Sequence, residues 1–284
     1  MTRESPKGQA SDNRRINLRL ADGGSGGCLR ALCRASAPED YAASIRAAAV
    51  EFTVTDRGEF EAKLIRIDVH RLWMQRFSDN PPRIADVTSL IPGRAYVTFR
   101  TRRGPSLVQS GVDLDPSTVL RHGRAREYYQ RTSGSASFGT MSLPIGDIAS
   151  VGEAMARLDL GPPHDAILTT PPSAAMKGLQ RLHAVAGLLA EEAPEIIAHP
   201  EAARRLEQAL IEAMVDALAN REEHDDSLAH GRHAIVMRCF RRVVEESSEE
   251  PLYIPEICKA IRASERTTGS GSCQTPARLC REPN

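Results

Sequence analysis

From Phe52 to Leu114 the apolar positions alternate with polar ones in short runs. Phe60, Ala62 and Leu64 hold one phase, and Ile65, Ile67 and Val69 hold the opposite phase, which predicts a bulge or bend between them. After the turn signal Pro92-Gly93, Ala95, Val97 and Phe99 alternate again. A second turn at Arg102-Arg103-Gly104-Pro105 precedes the apolar Leu107, Val108, Val112 and Leu114. Short strands separated by turns predict a small barrel or a jelly-roll sandwich. From Asp147 the period lengthens. Ile148, Val151, Met155 and Leu158 form a helical stripe, and Ile167-Leu168, bracketed by Pro162-Pro163 and Pro171-Pro172, reads as a last short strand. Two longer helices follow. Ser173 is placed to cap the first, whose face carries Met176, Leu179, Leu182, Ala186 and Leu189 before Pro194 stops it. Pro200 opens the second, with Ala203, Leu206, Leu210, Met214 and Leu218 on its face. A short connection makes such helices pack antiparallel.

These patterns divide the 284 residues into an N-terminal segment, 1–45, polar, Gly-rich and expected to be disordered; a strand-rich domain, 46–170; a helical pair, 171–220; a charged linker, 221–231; a second helical region, 232–267; and a tail, 268–284. Composition narrows the partners. Lys and Arg total 37 against 37 Asp and Glu, so no global basic field advertises a nucleic acid. Six cysteines lack the paired spacing of a zinc site, and they read as free thiols in a reducing cytoplasm. No apolar run approaches a membrane span and no signal peptide is visible, so a cytoplasmic protein is expected.

The sharpest local pattern lies near the C-terminus. Ile254, Ile257, Cys258 and Ile261 share one face of a short helix, with Pro255 suited to its first turn and Glu256 complementing its positive end. A three-residue turn follows. Ser264 can cap a second helix that Glu265, Arg266 and Thr267 would begin. That arrangement is a helix-turn-helix, whose second helix reads base edges in the major groove. Thr268-Gly-Ser-Gly-Ser272 then breaks the pattern with weak helix formers and no apolar face.

The stretch from about His233 to Thr267 resembles the start of the DNA-binding domain of AraC-type transcriptional regulators, and Arg71-Leu-Trp-Met-Gln-Arg76, Ser110-Gly-Val112 and Gly139-Thr-Met-Ser-Leu-Pro144 resemble their sensor half. Where the family continues with a leucine and a basic residue, Thr268 and Ser270 stand, and nothing in 273–284 resembles the family's second helix-turn-helix. The DNA reader is therefore expected to be truncated or frame-shifted after Thr267. The resemblance implies an α+β chain with an N-terminal cupin-like β-barrel or jelly-roll sensor, a helical dimerisation pair and a C-terminal partial helix-turn-helix. Its implied partners are operator DNA, a small-molecule effector and a second copy of the chain, with no membrane.

On this reading Ser264, Glu265, Arg266 and Thr267 face DNA, and Arg71, Trp73 and Arg76 are the effector-binding candidates. The helical pair could instead simply cover one face of the barrel. No catalytic residue, metal ligand set or cofactor is expected. His70 and His122 are single and far apart, no Gly-x-Ser-x-Gly elbow occurs, and no phosphate-binding Gly-rich loop is present. Three function classes are compatible with the chain: an AraC-type regulator with impaired DNA binding; a sensor and dimerisation protein without DNA binding, acting through mixed dimers; and, more remotely, a cupin-type enzyme.

Overall fold

The computed structural model describes residues 29–219 and the backbone of Glu222–Glu223. The helix-turn-helix residues Ser264, Glu265, Arg266 and Thr267 and the tail lie outside the described residues. In chain order the strands are β1 (Leu29–Ala35), β2 (Ala48–Val54), β3 (Ala62–Val69), β4 (Leu72–Asp79), β5 (Arg83–Leu90), β6 (Arg94–Arg100), β7 (Leu107–Gln109), β8 (Val112–Asp113), β9 (Val119–Arg121), β10 (Tyr128–Thr132), β11 (Ala136–Pro144), β12 (Ile167–Thr170) and β13 (Glu222–Glu223). The helices are α1 (Pro38–Ser44), α2 (Ile145–Ala156), α3 (Ser173–Glu192), α4 (Pro194–Ala198) and α5 (Pro200–Ala219). None of the described helices is long and apolar enough to cross a membrane.

The strands form two antiparallel sheets. One has eight strands in the order β1-β3-β4-β11-β6-β9-β12-β13, and the other has five in the order β2-β5-β10-β7-β8. Neither closes on itself, since β1 and β13 end the first and β2 and β8 end the second. This overturns the expectation of a cupin-like barrel or jelly-roll. The physical reason is that the large sheet needs no closure to hide its apolar residues. One face packs on α3 and α5 in a core containing Ile65, Ile67, Met74, Phe99, Met141, Leu179, Leu210 and Met214. The opposite face contributes Leu64, Phe77, Leu120 and Phe138 to a second core with Tyr41 and Leu107.

Two-sided burial also explains the phase change at Leu64/Ile65. β3 pairs with β4 without a bulge from Ala62↔Asp79 to Val69↔Leu72, so the switch marks an apolar residue on each face, not a bend. The β3–β4 turn is only His70-Arg71, and His70 takes a left-handed conformation, φ 46°, to close it. For a non-Gly residue that costs on the order of 1 kcal/mol.

Three further differences from the sequence reading have local causes. β1 and α1 fall within the segment 1–45 expected to be disordered; β1 is ordered by pairing along its whole length with β3, from Leu29↔Asp68 to Ala35↔Ala62, a long-range contact with no local signature. Ser173 is the first residue of α3 and makes no capping hydrogen bond, the cap position being Pro172. Pro194 ends α3 as expected of a residue that cannot continue a helix, but it also opens the short helix α4. The segment around Ile167, predicted as a strand, forms β12, and Pro200 opens α5.

Gly139 of β11 is required by the helix packing. A Cβ there would lie 2.5 Å from the His183 ring of α3, so only glycine lets the helix approach the sheet.

Candidate functional site

Alternation along β4 sorts its side chains between the two faces of the large sheet. Leu72, Met74 and Arg76 turn to the helices, while Trp73, Gln75, Phe77 and Asp79 turn to the five-stranded sheet. On this second side the sheets leave a hollow. Its walls are largely apolar, with Val50 and Phe52 from β2, Ala85 and Val87 from β5, Phe77 from β4 and Phe138 from β11. Polar groups reach it at Arg46, Gln75, Arg83, Tyr96, His122, Tyr128, Gln130 and Thr140. The hollow is a narrow slot with a cavity volume of ≈ 40 Å³. Apolar walls with converging polar groups are the chemistry of a small-molecule site, in a space far smaller than the ~300–1,000 Å³ such sites usually have.

The polar groups are almost all satisfied before any ligand arrives. Arg83, at 0% exposure, donates from Nε to Asp79 Oδ1 at 3.1 Å, from Nη2 to Asp79 Oδ2 at 2.8 Å and from Nη1 to Gln130 Oε1 at 3.1 Å. Its guanidinium also lies 4.9 Å from the Phe52 ring centroid. Such a bidentate pair fixes the spacing of β4 and β5 across the slot. Gln130 Nε2 lies 3.5 Å from Gln109 Oε1, Gln109 Nε2 lies 3.4 Å from His122 Nε2, and His122 Nε2 lies 2.8 Å from Thr98 Oγ1. Burial pushes the His122 imidazole down to about 4, so it is neutral near pH 7. Burial also raises the Tyr128 and Tyr96 phenols, the Tyr96 shift being opposed by Arg94 and Arg46. An imidazole this weakly basic does not draw a proton from a threonine hydroxyl near neutral pH. The groups hold and orient one another.

One end of the slot carries charge. The Arg46 backbone is clipped by Gln75, whose Oε1 accepts from Arg46 N at 2.9 Å and whose Nε2 donates to Arg46 O at 3.1 Å. Its guanidinium is paired with Asp68 and sits 3.8 Å from the Trp73 ring centroid. Arg94 stacks on the same indole at 3.6 Å and donates to the Arg71 and Ser142 carbonyls, both at 2.6 Å. Arg66 donates to Ser44 O at 3.1 Å. Burial raises the Asp68 carboxyl while Arg46, Arg66 and Arg94 pull it down. Arg46, which lines the slot, thus pairs directly with this carboxylate, and Arg66 and Arg94 act on it electrostatically.

The sequence-predicted effector residues are distributed around this site instead of inside it. Trp73 supports the pocket-lining Arg46 from behind. Arg71 lies on the β3–β4 turn, where its Nη1 is 3.5 Å from Asp147 Oδ1 and its N–H donates to Glu207 Oε1 of α5 at 3.0 Å. Arg76 faces α3, 3.2 Å from His183 Nδ1. Arg46, Arg83 and Gln130 carried no sequence signal, because what brings them together is cross-strand register. Among the described residues no group of three His, Cys, Asp or Glu side chains could hold a metal ion.

No protein-family model and no curated protein matches the chain. Among solved structures, the crystal structure of the AraC-like transcriptional activator CuxR is similar over 84% of this chain and 86% of its own, at 13% identity and a TM-score of 0.46. ToxT from Vibrio cholerae strain SCE256, solved with an unsaturated fatty acid bound, matches over 74% of this chain and 76% of its own, at 9% identity and a TM-score of 0.32. The putative glyoxylate induced protein from Pseudomonas aeruginosa matches over 58% of this chain and 54% of its own, at 12% identity and a TM-score of 0.27.

Proposed function

We propose that this chain is an effector-responsive transcriptional regulator of AraC type whose DNA reader is impaired. The observation that carries this reading is the helix-turn-helix pattern of Leu252 to Thr267, following a two-sheet body with a hollow between its sheets. In this account a small molecule occupies the slot lined by Phe52, Phe77, Val87 and Phe138, and α3 and α5 form the association element. Ser264, Glu265, Arg266 and Thr267 are the DNA-facing residues, and Arg266 is the side chain placed for a base contact. One good bidentate contact contributes about 1–3 kcal/mol, far from sufficient for a specific operator complex. Specific binding is therefore weak.

A second reading, a sensor and dimerisation protein without DNA binding that acts through mixed dimers, is favoured by one observation. Thr268-Gly-Ser-Gly-Ser272 cannot form the body of a recognition helix. Both readings meet in one experiment, in which the full chain is titrated into randomised duplex DNA at physiological salt. Selection of a sequence motif that is weakened by Arg266→Ala supports the regulator. No selected motif, together with small-molecule stabilisation that Ala85→Phe abolishes, supports the sensor. Absence of both outcomes rejects the proposal.

A further inference from the structure

α3 and α5 bury themselves to different extents. All six large apolar side chains of α5, from Leu206 at 9% exposure to Leu210 at 0%, are buried against the sheet and its neighbours. α3 leaves Val185 41% exposed and Leu188 51% exposed, and Ile196 of the adjoining α4 is 48% exposed. Val185 and Leu188 belong to a stripe. Arg181, Val185, Leu188 and Glu192 follow at intervals of four, three and four, the spacing of the a and d positions of a two-helix seam. Arg181 and Glu192 are exposed, and neither makes an ion pair among the described residues. One turn earlier on the same face, Gly178 has no atom within 4 Å of the position a Cβ would take, so the stripe is open at that end as well.

The order of chemistry along the stripe is basic, apolar, apolar, acidic. It is self-complementary under a twofold axis passing between Ala186 and Gly187. Two copies of α3 laid antiparallel about that axis place Val185 against the partner's Leu188 and Arg181 against the partner's Glu192, each contact occurring twice, as an isologous interface demands. A parallel arrangement would stack Arg181 on Arg181 and Glu192 on Glu192, which like-charge repulsion disfavours. We infer that α3, not α5, is the self-association face, and that its occupant is a second copy of this chain in the antiparallel register Val185/Leu188 flanked by Arg181/Glu192. The inference rests on the proposed reading of the helical pair as the association element, and it adds which helix and which register.

The test is sedimentation equilibrium of the full chain with four variants, each checked by circular dichroism for an unchanged fold, since all three substituted positions are exposed. The wild type is expected to be dimeric at about 100 μM, an ordinary affinity for a small interface. Leu188→Asp should weaken the dimer about a hundredfold, and Arg181→Glu or Glu192→Arg alone about tenfold each. Arg181→Glu combined with Glu192→Arg restores both pairs with reversed polarity and should recover most of the affinity. A dimer indifferent to Leu188→Asp, or a double variant no tighter than the singles, overturns the register while leaving a dimeric regulator intact. A monomeric wild type overturns both the register and the reading of the helical pair as an association element. DNA and effector titrations then judge the rest of the proposed function separately.

Discussion

The two faces of the eight-stranded sheet are both buried, yet they are built on opposite principles. The face under α3 and α5 is filled with apolar side chains that meet in close contact, and among them Arg76 and His183 bond each other at 3.2 Å. The face toward the five-stranded sheet mixes apolar walls with a chain of polar groups, Arg83, Gln130, Gln109 and His122, around a hollow. A tightly packed face maximises dispersion contacts and leaves no room for anything else. A polar framework holds two sheets apart at fixed spacing while keeping its own donors and acceptors satisfied. The difference teaches that burial alone does not tell a packed face from one that keeps a hollow; buried, paired polar groups beside empty space do.

The comparison breaks most sharply at Arg83. Arg83→Ala leaves Asp79 buried without its counter-ion, and unfolding by denaturant should show a loss of about 3–5 kcal/mol. Replacing both partners by leucine should cost much less, because no charge is then stranded; equal losses would mean that the pair is not the brace between the sheets. On the opposite face, Gly139→Ala forces a methyl group into the His183 ring, 2.5 Å away, and should cost about 1–3 kcal/mol in the same assay. Adding His183→Ala should recover part of that loss, and a purely additive double variant would show that the helix does not rest on Gly139.

The two faces should respond alike to acid, through one histidine each. Burial, assisted by Arg76, pushes His183 down to about 3, and burial pushes His122 down to about 4. Both folded values lie below the ordinary imidazole value, so the unfolded chain binds more protons as the pH falls beneath about 6.5. Stability is therefore fully present above that pH and is lost progressively toward about 4 for His122 and about 3 for His183, on the order of 1 kcal/mol per imidazole by pH 5.5. His122→Gln and His183→Leu should each flatten the acid limb of a stability-versus-pH curve; an unchanged limb in either variant would remove that histidine from the account. The smallest effect belongs to the charged end of the slot. In an Asp68→Asn background, where no buried carboxylate is left without its partner, Arg46→Ala removes one cation from the Trp73 indole and should cost about 0.5–1 kcal/mol. Since Trp73 is the chain's one tryptophan, its emission spectrum should shift in that variant and on occupation of the slot. A spectrum insensitive to both would separate Trp73 from the site.

What could be read from the sequence follows from range. α3 and α5 announce themselves because each packs one continuous stripe, and period 3.6 survives in a single segment. β6 and β12 were equally legible. The closure of the sheets was not, since open and closed arrangements of short antiparallel strands share one alternation pattern, and the presence of helices on one face is invisible to it. β1 was hidden in a polar, Gly-rich segment because its order comes from β3. The site was legible only in part. Arg71-Leu-Trp-Met-Gln-Arg76 covers most of β4, whose alternation sends Arg76 to the helices and Gln75 to the slot, and the sequence alone did not say which face held the hollow.

By itself, then, the sequence determined the local periodicities and the helical pair, because each depends on residues within a few turns of one another. Only the tertiary structure decided that the sheets stay open, that Asp79, Arg83 and Gln130 converge, that Arg46 and Arg94 share one indole, and that α3 keeps an unpaired stripe while α5 does not. Those outcomes depend on which distant strands become neighbours, and cross-strand register is set by the whole fold's burial of apolar surface instead of by any local run of residues.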